Sequence, residues 1–187
     1  MLVTTVKRLL AAAIITAVVA PSPSWADDEV PAGSGTLRVS NAAGQDVSFD
    51  ALLPDAPIIL HLWATWCMPC RVELPALDRF SATLDEAGAK DRLIVVSVDA
   101  PPYDKVAMFL DDVGVERLTS WQVTAGNPGS TFRIFGYPTT ILLGPDRSIE
   151  ERWAGPVDWD APSVRQHLLR KLAPTARQEQ SAGRSVE

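Results

Sequence analysis

Cysteine is scarce in this 187-residue chain, with only Cys67 and Cys70 present. A multi-bridge disulfide scaffold is excluded, because one intramolecular bridge is the most that two cysteines allow. Histidine is equally scarce: His61 and His167 are the only two, so a four-ligand zinc site would have to use both of them and both cysteines. Positive charge is short as well. The 17 Lys and Arg stand against 23 Asp and Glu, a net charge of −6, and no basic stripe offsets it, so the electrostatic footprint of a nucleic-acid binder is missing. No internal repeat is present. No apolar run reaches the roughly 20 residues that a membrane-spanning helix needs.

Apolar residues make up 47% of the chain, enough for the buried core of one domain of ordinary size. Lys7 and Arg8 precede an apolar run from Leu9 to Ala20, and Pro21 to Ala26 ends in a small-x-small pattern. Residues 1–26 read as an export signal, which makes the remainder a soluble periplasmic protein; the rival reading keeps the segment as an uncleaved membrane anchor. Residues 27–35, acidic and rich in Gly and Pro, read as a mobile leader, and the polar residues 174–187 as a frayed tail. The folded domain is expected over 36–173.

Within it, Thr36–Ser40 and Gln45–Phe49 alternate around Asn41-Ala42-Ala43-Gly44, the pattern of a β-hairpin. Ile58–Trp63 and Leu93–Val98 are short apolar runs suited to strands buried on both faces. Between them, Pro69–Ala87 carries Val72, Leu74, Leu77, Phe80 and Leu84 at helical spacing, with Pro75 inside as a kink. Tyr103–Val113 predicts an amphipathic helix stopped by Gly114, and Ser130–Phe135 a short one. Thr139–Leu143 and Ser148–Trp153 flank a tight-turn sequence. Asp160 is placed to cap a last helix with Val164, Leu168 and Leu172 on its apolar face. The order defines an α/β sandwich.

Trp66-Cys67-Met68-Pro69-Cys70 falls at a strand-to-helix junction. There Cys67 meets the free N–H groups and dipole of the helix start, which favour a thiolate, while Cys70, one turn in, is covered by its own helix and suits a resolving thiol. Stability is a poor reason for such a pair, since closing so short a loop is worth about 2 kcal/mol, against about 3 for a 15-residue loop.

The stretch His61-Leu-Trp-Ala-Thr-Trp-Cys-Met-Pro-Cys-Arg-Val-Glu-Leu-Pro75 resembles the active site of the thioredoxin superfamily. Trp63 and Trp66 fall on its two tryptophans and Pro75 on its kink proline. Tyr137-Pro138-Thr139 resembles the cis-proline loop that faces the cysteines, and Gly155 the glycine that lets a substrate backbone approach. Arg71-Val72-Glu73-Leu74-Pro75, and an interval between Cys70 and Pro138 long enough for an extra strand and helix, are similar to the TlpA/ResA group of exported reductases. The resemblance implies a thioredoxin-like three-layer sandwich with an N-terminal hairpin and a central insertion. It implies a groove formed by Trp66, Tyr137, Pro138 and Gly155, with no cofactor beyond the redox-active disulfide Cys67–Cys70. The implied partners are cysteine-containing exported proteins, such as apocytochrome c or copper-site proteins, and a membrane electron donor.

Where plain thioredoxin has a buried aspartate and the TlpA/ResA group often a neutral polar residue, this strand holds His61, so a carboxylate base cannot be carried over to it. Glu73, three residues beyond Cys70 on the same helical face, is the preferred proton acceptor, pictured as a partly solvated group at the groove mouth. It could equally be a first-turn acid complementing the helix dipole. His61 reads either as a satisfied core histidine or as a proton relay for Cys70, and His167 as a solvated side chain. Trp63 reads as packing. Zinc on Cys67, Cys70, His61 and His167 and copper(I) on the reduced pair with Met68 are the metal alternatives. A disulfide oxidant or isomerase is the enzymatic one.

Overall fold

The computed structural model describes residues 37–100 and 102–173. The expected signal, leader and tail therefore lie outside the described residues. Seven strands form one sheet in the order β2-β1-β5-β4-β3-β6-β7. β1 (Arg38–Ser40) and β2 (Asp46–Ser48) are the hairpin, and β3 (Ile58–Trp63) is central. β4 (Leu93–Ser97) and β5 (Ser120–Ala125) run parallel to one another, with β4 parallel to β3. β6 (Thr139–Leu143) lies antiparallel to β3, and β7 (Ile149–Ala154) antiparallel to β6.

Strand alternation sends β3 side chains to two separate cores. Ile59, His61 and Trp63 face α1 (Met68–Glu86), α2 (Asp104–Asp112) and α4 (Pro162–Leu172), where Phe80, Leu110, Trp159 and Leu168 pack. Ile58, Leu60 and Leu62 face a second core with Phe49 and Phe132, from a short 3-10 turn (Phe49–Leu52) and the segment following α3 (Pro128–Thr131). All six β3 residues are buried, which accounts for its continuous apolar sequence. The result is the expected α/β three-layer sandwich with an N-terminal hairpin, and the extra strand and helix of the expected insertion fall between Cys70 and Pro138. Among the described residues no helix is long and apolar enough to cross a membrane.

Several boundaries differ from the sequence reading, each for a local reason. β5 is not marked by an apolar pattern because its fully buried residues are polar. Ser120 accepts from the Trp63 indole N–H at 3.0 Å, and Gln122 donates to the Asp99 carbonyl at 3.1 Å, while Trp121 and Val123 are only half-buried. Helix α3 begins earlier, since Asn127 caps it by accepting from the N–H groups of Gly129 and Ser130, and Arg133 at φ 50° follows soon after its end. Asp160 does not cap α4. Ala161 holds that place ahead of Pro162, and Asp160 instead accepts from Arg79 and Arg165. Pro75 lies inside a continuous α1 and leaves the Arg71 carbonyl without a backbone donor one turn on.

Candidate active site

β3 delivers the chain to the reactive pair through Ala64-Thr65-Trp66, and the neighbouring parallel strand holds that turn in place. Trp63 stands opposite Ser97, so continuing the register by two residues brings Asp99 beside Thr65. The Asp99 carboxylate accepts from the Thr65 backbone N–H at 2.8 Å, from its hydroxyl at 2.6 Å, and from the Ser97 hydroxyl at 2.6 Å. Sequence reasoning missed Asp99. Its only signal is an acid at the carboxyl end of a strand parallel to the cysteine strand, where open α/β sheets build their sites.

Cys67 is the N-cap of α1, and its Sγ accepts from the Cys70 backbone N–H at 3.2 Å. The two sulfurs are joined as a disulfide. Cys67 keeps 5% of its surface exposed and Cys70 none, so of the two cysteines only Cys67 offers any surface for a partner to reach. Negative charge on that sulfur is favoured by the Cys70 N–H and the helix terminus.

Around this sulfur the chain leaves large apolar side chains in solvent. Trp66, Met68, Val72 and Phe135 are all exposed, and Trp66 stands edge-on to Tyr137 at 5.9 Å. The Tyr137–Pro138 peptide is cis, and the Pro138 carbonyl accepts from the Gly155 N–H at 2.9 Å. Gly155 has φ +98°, and nothing lies within 4 Å of where a Cβ would stand. A side chain there is disfavoured by backbone conformation rather than by space. Ile134, Phe135, Tyr137, Pro138 and Gly155 line one cavity. Trp66, Tyr137, Pro138 and Gly155 are thus found as a pair in ring contact, a cis-proline loop and a glycine bonded to it. Trp63 is buried and packs on Phe109.

Glu73 is not the partly solvated group expected at the groove mouth. It is 4% exposed, because the segment after β7 closes over it. Its Oε2 accepts from the Val157 N–H at 2.9 Å and the Trp159 indole N–H at 3.2 Å. Burial pushes its carboxyl up to about 7, against the pull of those two donors. His61 is fully buried, and desolvation pushes it down to about 3, so it is neutral at physiological pH. Its Nδ1 lies 3.0 Å from the Thr140 hydroxyl, and its Nε2 lies 3.4 Å from Glu73 Oε1. The structure therefore brings together the two groups that the sequence reading had treated as rivals.

His167 is half-buried rather than solvated, with Nε2 2.9 Å from a Glu151 carboxylate oxygen. Among the described residues no three His, Cys, Asp or Glu side chains converge as metal ligands would, and the four groups considered for zinc are engaged in three separate places.

A reachable sulfur at a helix start, a buried sulfur one turn in, and a facing cis-proline loop on this sheet define a thiol:disulfide oxidoreductase. Residues 26–168 match the Redoxin family, and the chain belongs to it. It is 26% identical over 142 residues to sporulation thiol-disulfide oxidoreductase A of Bacillus subtilis (strain 168), covering 73% of this chain and 81% of that protein. It is 29% identical to the thiol-disulfide oxidoreductase ResA of Oceanobacillus iheyensis, over 55% of this chain and 52% of the relative. It is 28% identical to the thiol:disulfide interchange protein DsbE of Escherichia coli (strain K12), over 60% and 57%. The crystal structure of StoA from Bacillus subtilis shares the fold at a TM-score of 0.51 and 23% identity, covering 69% of this chain and 92% of that one. These relatives make the chain kin to the ResA, StoA and DsbE type of exported thiol-disulfide oxidoreductases.

Proposed function

We propose that this protein is an exported, periplasmic reductase that keeps partner cysteines reduced, in cytochrome c maturation or copper-site assembly, and is recharged by a membrane electron donor. The observation that supports the reductive reading is Glu73, a buried carboxyl on the helix of Cys70 that burial raises to about 7, and its role in the reading is to take the proton of the resolving thiol. Cys67 thiolate attacks a partner disulfide, forming a mixed disulfide and releasing one partner thiolate, which takes a proton from water. Cys70 then passes its proton to Glu73 and attacks Cys67. The second partner sulfur leaves as a thiolate, and the Cys67–Cys70 disulfide closes. Two electrons pass from the cysteine pair to the partner. Trp66, Tyr137, Pro138 and Gly155 form the groove that holds the partner backbone alongside. The kinship to ResA and DsbE supports the exported location, as does the signal-like sequence of residues 1–26.

The deciding measurement is the equilibrium reduction potential of Cys67–Cys70 against a dithiothreitol or glutathione series. A reductase requires a value clearly below the about −180 mV of protein disulfide isomerase. A value near the about −120 mV of a strong oxidant transfers the protein to disulfide formation.

A further inference from the structure

Glu73 has two oxygens in different surroundings. Oε2 is occupied by two N–H donors, from Val157 and Trp159. Among the described residues Oε1 is fully buried with no hydrogen-bond partner, and so is His61 Nε2, the atom 3.4 Å away. Two orphaned polar atoms facing one another in a core each carry a desolvation cost that a shared hydrogen bond would offset. Oε1 is also the oxygen with open lone pairs, and so the one able to receive a proton from Cys70.

Building on the oxidoreductase reading, we propose that His61 is the positioning residue of the proton acceptor: its Nε2–H donates to Glu73 Oε1 and thereby sets the proton affinity of that oxygen. The Thr140 hydroxyl donates to Nδ1 and so fixes the tautomer, as a group bonded to one ring nitrogen decides which nitrogen carries the proton. During resolution the Cys70 proton moves onto a second lone pair of Oε1, Nε2–H stays in place, and the imidazole remains neutral throughout. Its neutrality agrees with its complete burial.

Among the described residues no other charge is placed against His61. Glu73 and Cys70 are the titratable groups presented by α1. Val95 on β4 and Thr140 on β6 are its uncharged strand neighbours, and Trp159 meets it edge-on at 5.8 Å. Asp158 and Asp160 of the same segment as Trp159 are exposed. Arg165, His167 and Lys171 of α4 pair with Asp160, Glu151 and Glu150 in that order. A neutral donor is what the arrangement supplies to the carboxylate.

The test uses the full-length chain. Ring 15N shifts of His61 across pH 5–9 are expected to report Nε2 protonated and Nδ1 bare; the opposite tautomer overturns the proposal. In His61→Leu the 13C titration midpoint of the Glu73 carboxyl should rise by about one pH unit, the size expected from losing one long hydrogen bond to a charged group. His61→Gln places an amide N–H near the position of Nε2 and should keep the midpoint within about 0.3 unit. The low-pH limb of mixed-disulfide resolution should follow the same shifts, with the rate of Cys67 attack unchanged. An unmoved midpoint in folded His61→Leu overturns the proposal; should that variant not fold, the tautomer decides. A wild-type protein without Cys67-dependent turnover sinks the oxidoreductase reading itself, whereas normal turnover with an unmoved midpoint sinks only the role of His61.

Discussion

His61 Nε2 and Glu73 Oε1 face one another 3.4 Å apart, one from the central strand and one from the helix of the resolving cysteine. Their proton affinities are displaced in opposite directions by the same cause, burial. The carboxyl is raised from 4.5 to about 7, so the folded state binds its proton more tightly than the unfolded chain does. That stability is fully present below about pH 4.5 and is lost as pH rises through about 7. The imidazole is lowered from 6.5 to about 3. Its contribution is present above 6.5 and is lost as pH falls through about 3. Between about 4.5 and 6.5 the two slopes oppose and nearly cancel. Glu73→Gln should therefore make stability fall more steeply on acidification than in wild type, and His61→Gln less steeply, each by up to roughly 1.4 kcal/mol per pH unit. Urea unfolding at four pH values between 4.5 and 7 measures both slopes. Departures of the same sign would contradict the opposed shifts.

A second expectation separates the chemical steps. Cys67 attacks with a sulfur already stabilised by the Cys70 N–H and the helix terminus, so its step needs no base. Cys70 is fully buried and must lose its proton to resolve the mixed disulfide. Glu73→Gln should slow resolution at least about 10-fold, near or below the lower end of general-base effects, and leave the first attack nearly unchanged. Stopped-flow turnover of a model disulfide across pH 5–9 resolves the two phases. Equal resolution rates in the variant and wild type would remove Glu73 from the proton path.

The reactive centre was legible because its parts are local. Cys67, Cys70 and Pro75 sit on one strand-to-helix unit whose apolar run and helical spacing are both unambiguous, and Ile58–Trp63 and Thr139–Leu143 match their strands residue for residue. What failed to show in the sequence depends on partners far along the chain. Glu73 reads as a partly solvated group at the groove mouth until Val157 and Trp159, 84 and 86 residues later, close over it. The strand Ser120–Ala125 is hidden because its fully buried residues are Ser120 and Gln122, polar groups whose long-range partners are Trp63 and Asp99. Asp160 has the residue type of a cap, but two arginines take it.

The exposed Trp66 is expected to act on partner binding rather than on sulfur chemistry. It stands over Tyr137 at the cis-proline loop with most of its surface in water, so a docked protein can bury it, whereas a small disulfide reagent covers little of it. Burying a large aromatic side chain contributes on the order of 2 kcal/mol. Trp66→Ala should raise KM for a cysteine-containing protein partner about 10-fold or more, with kcat for a small aromatic disulfide within about twofold of wild type. An equal loss on both substrates would mean that Trp66 shapes the reactive sulfur itself.

Asp99 supplies the last expectation, because it separates holding the cysteine loop from moving the proton. Its carboxylate takes three hydrogen bonds, two from Thr65 and one from Ser97, all between 2.6 and 2.8 Å. Thr65 lies two residues before Cys67, and the Cys67 N–H itself bonds the Ala64 carbonyl at 3.1 Å, so the turn that presents the sulfur is tied to the end of β4. Asp99→Ala leaves the Thr65 N–H and two hydroxyls without their acceptor, at about 1–3 kcal/mol for the set after water enters. Asp99→Asn keeps one oxygen acceptor and offers an amide to the Thr65 hydroxyl, so it should cost less. A loosened turn lets Cys67 leave its place at the helix start, and the first attack should slow about 10-fold in Asp99→Ala while the pH dependence of resolution stays that of wild type. The signature is thus the reverse of Glu73→Gln, with the first phase slowed and the second unmoved. Should Asp99→Ala instead shift the pH profile of the second phase, Asp99 would belong to the proton path and not to the clamp.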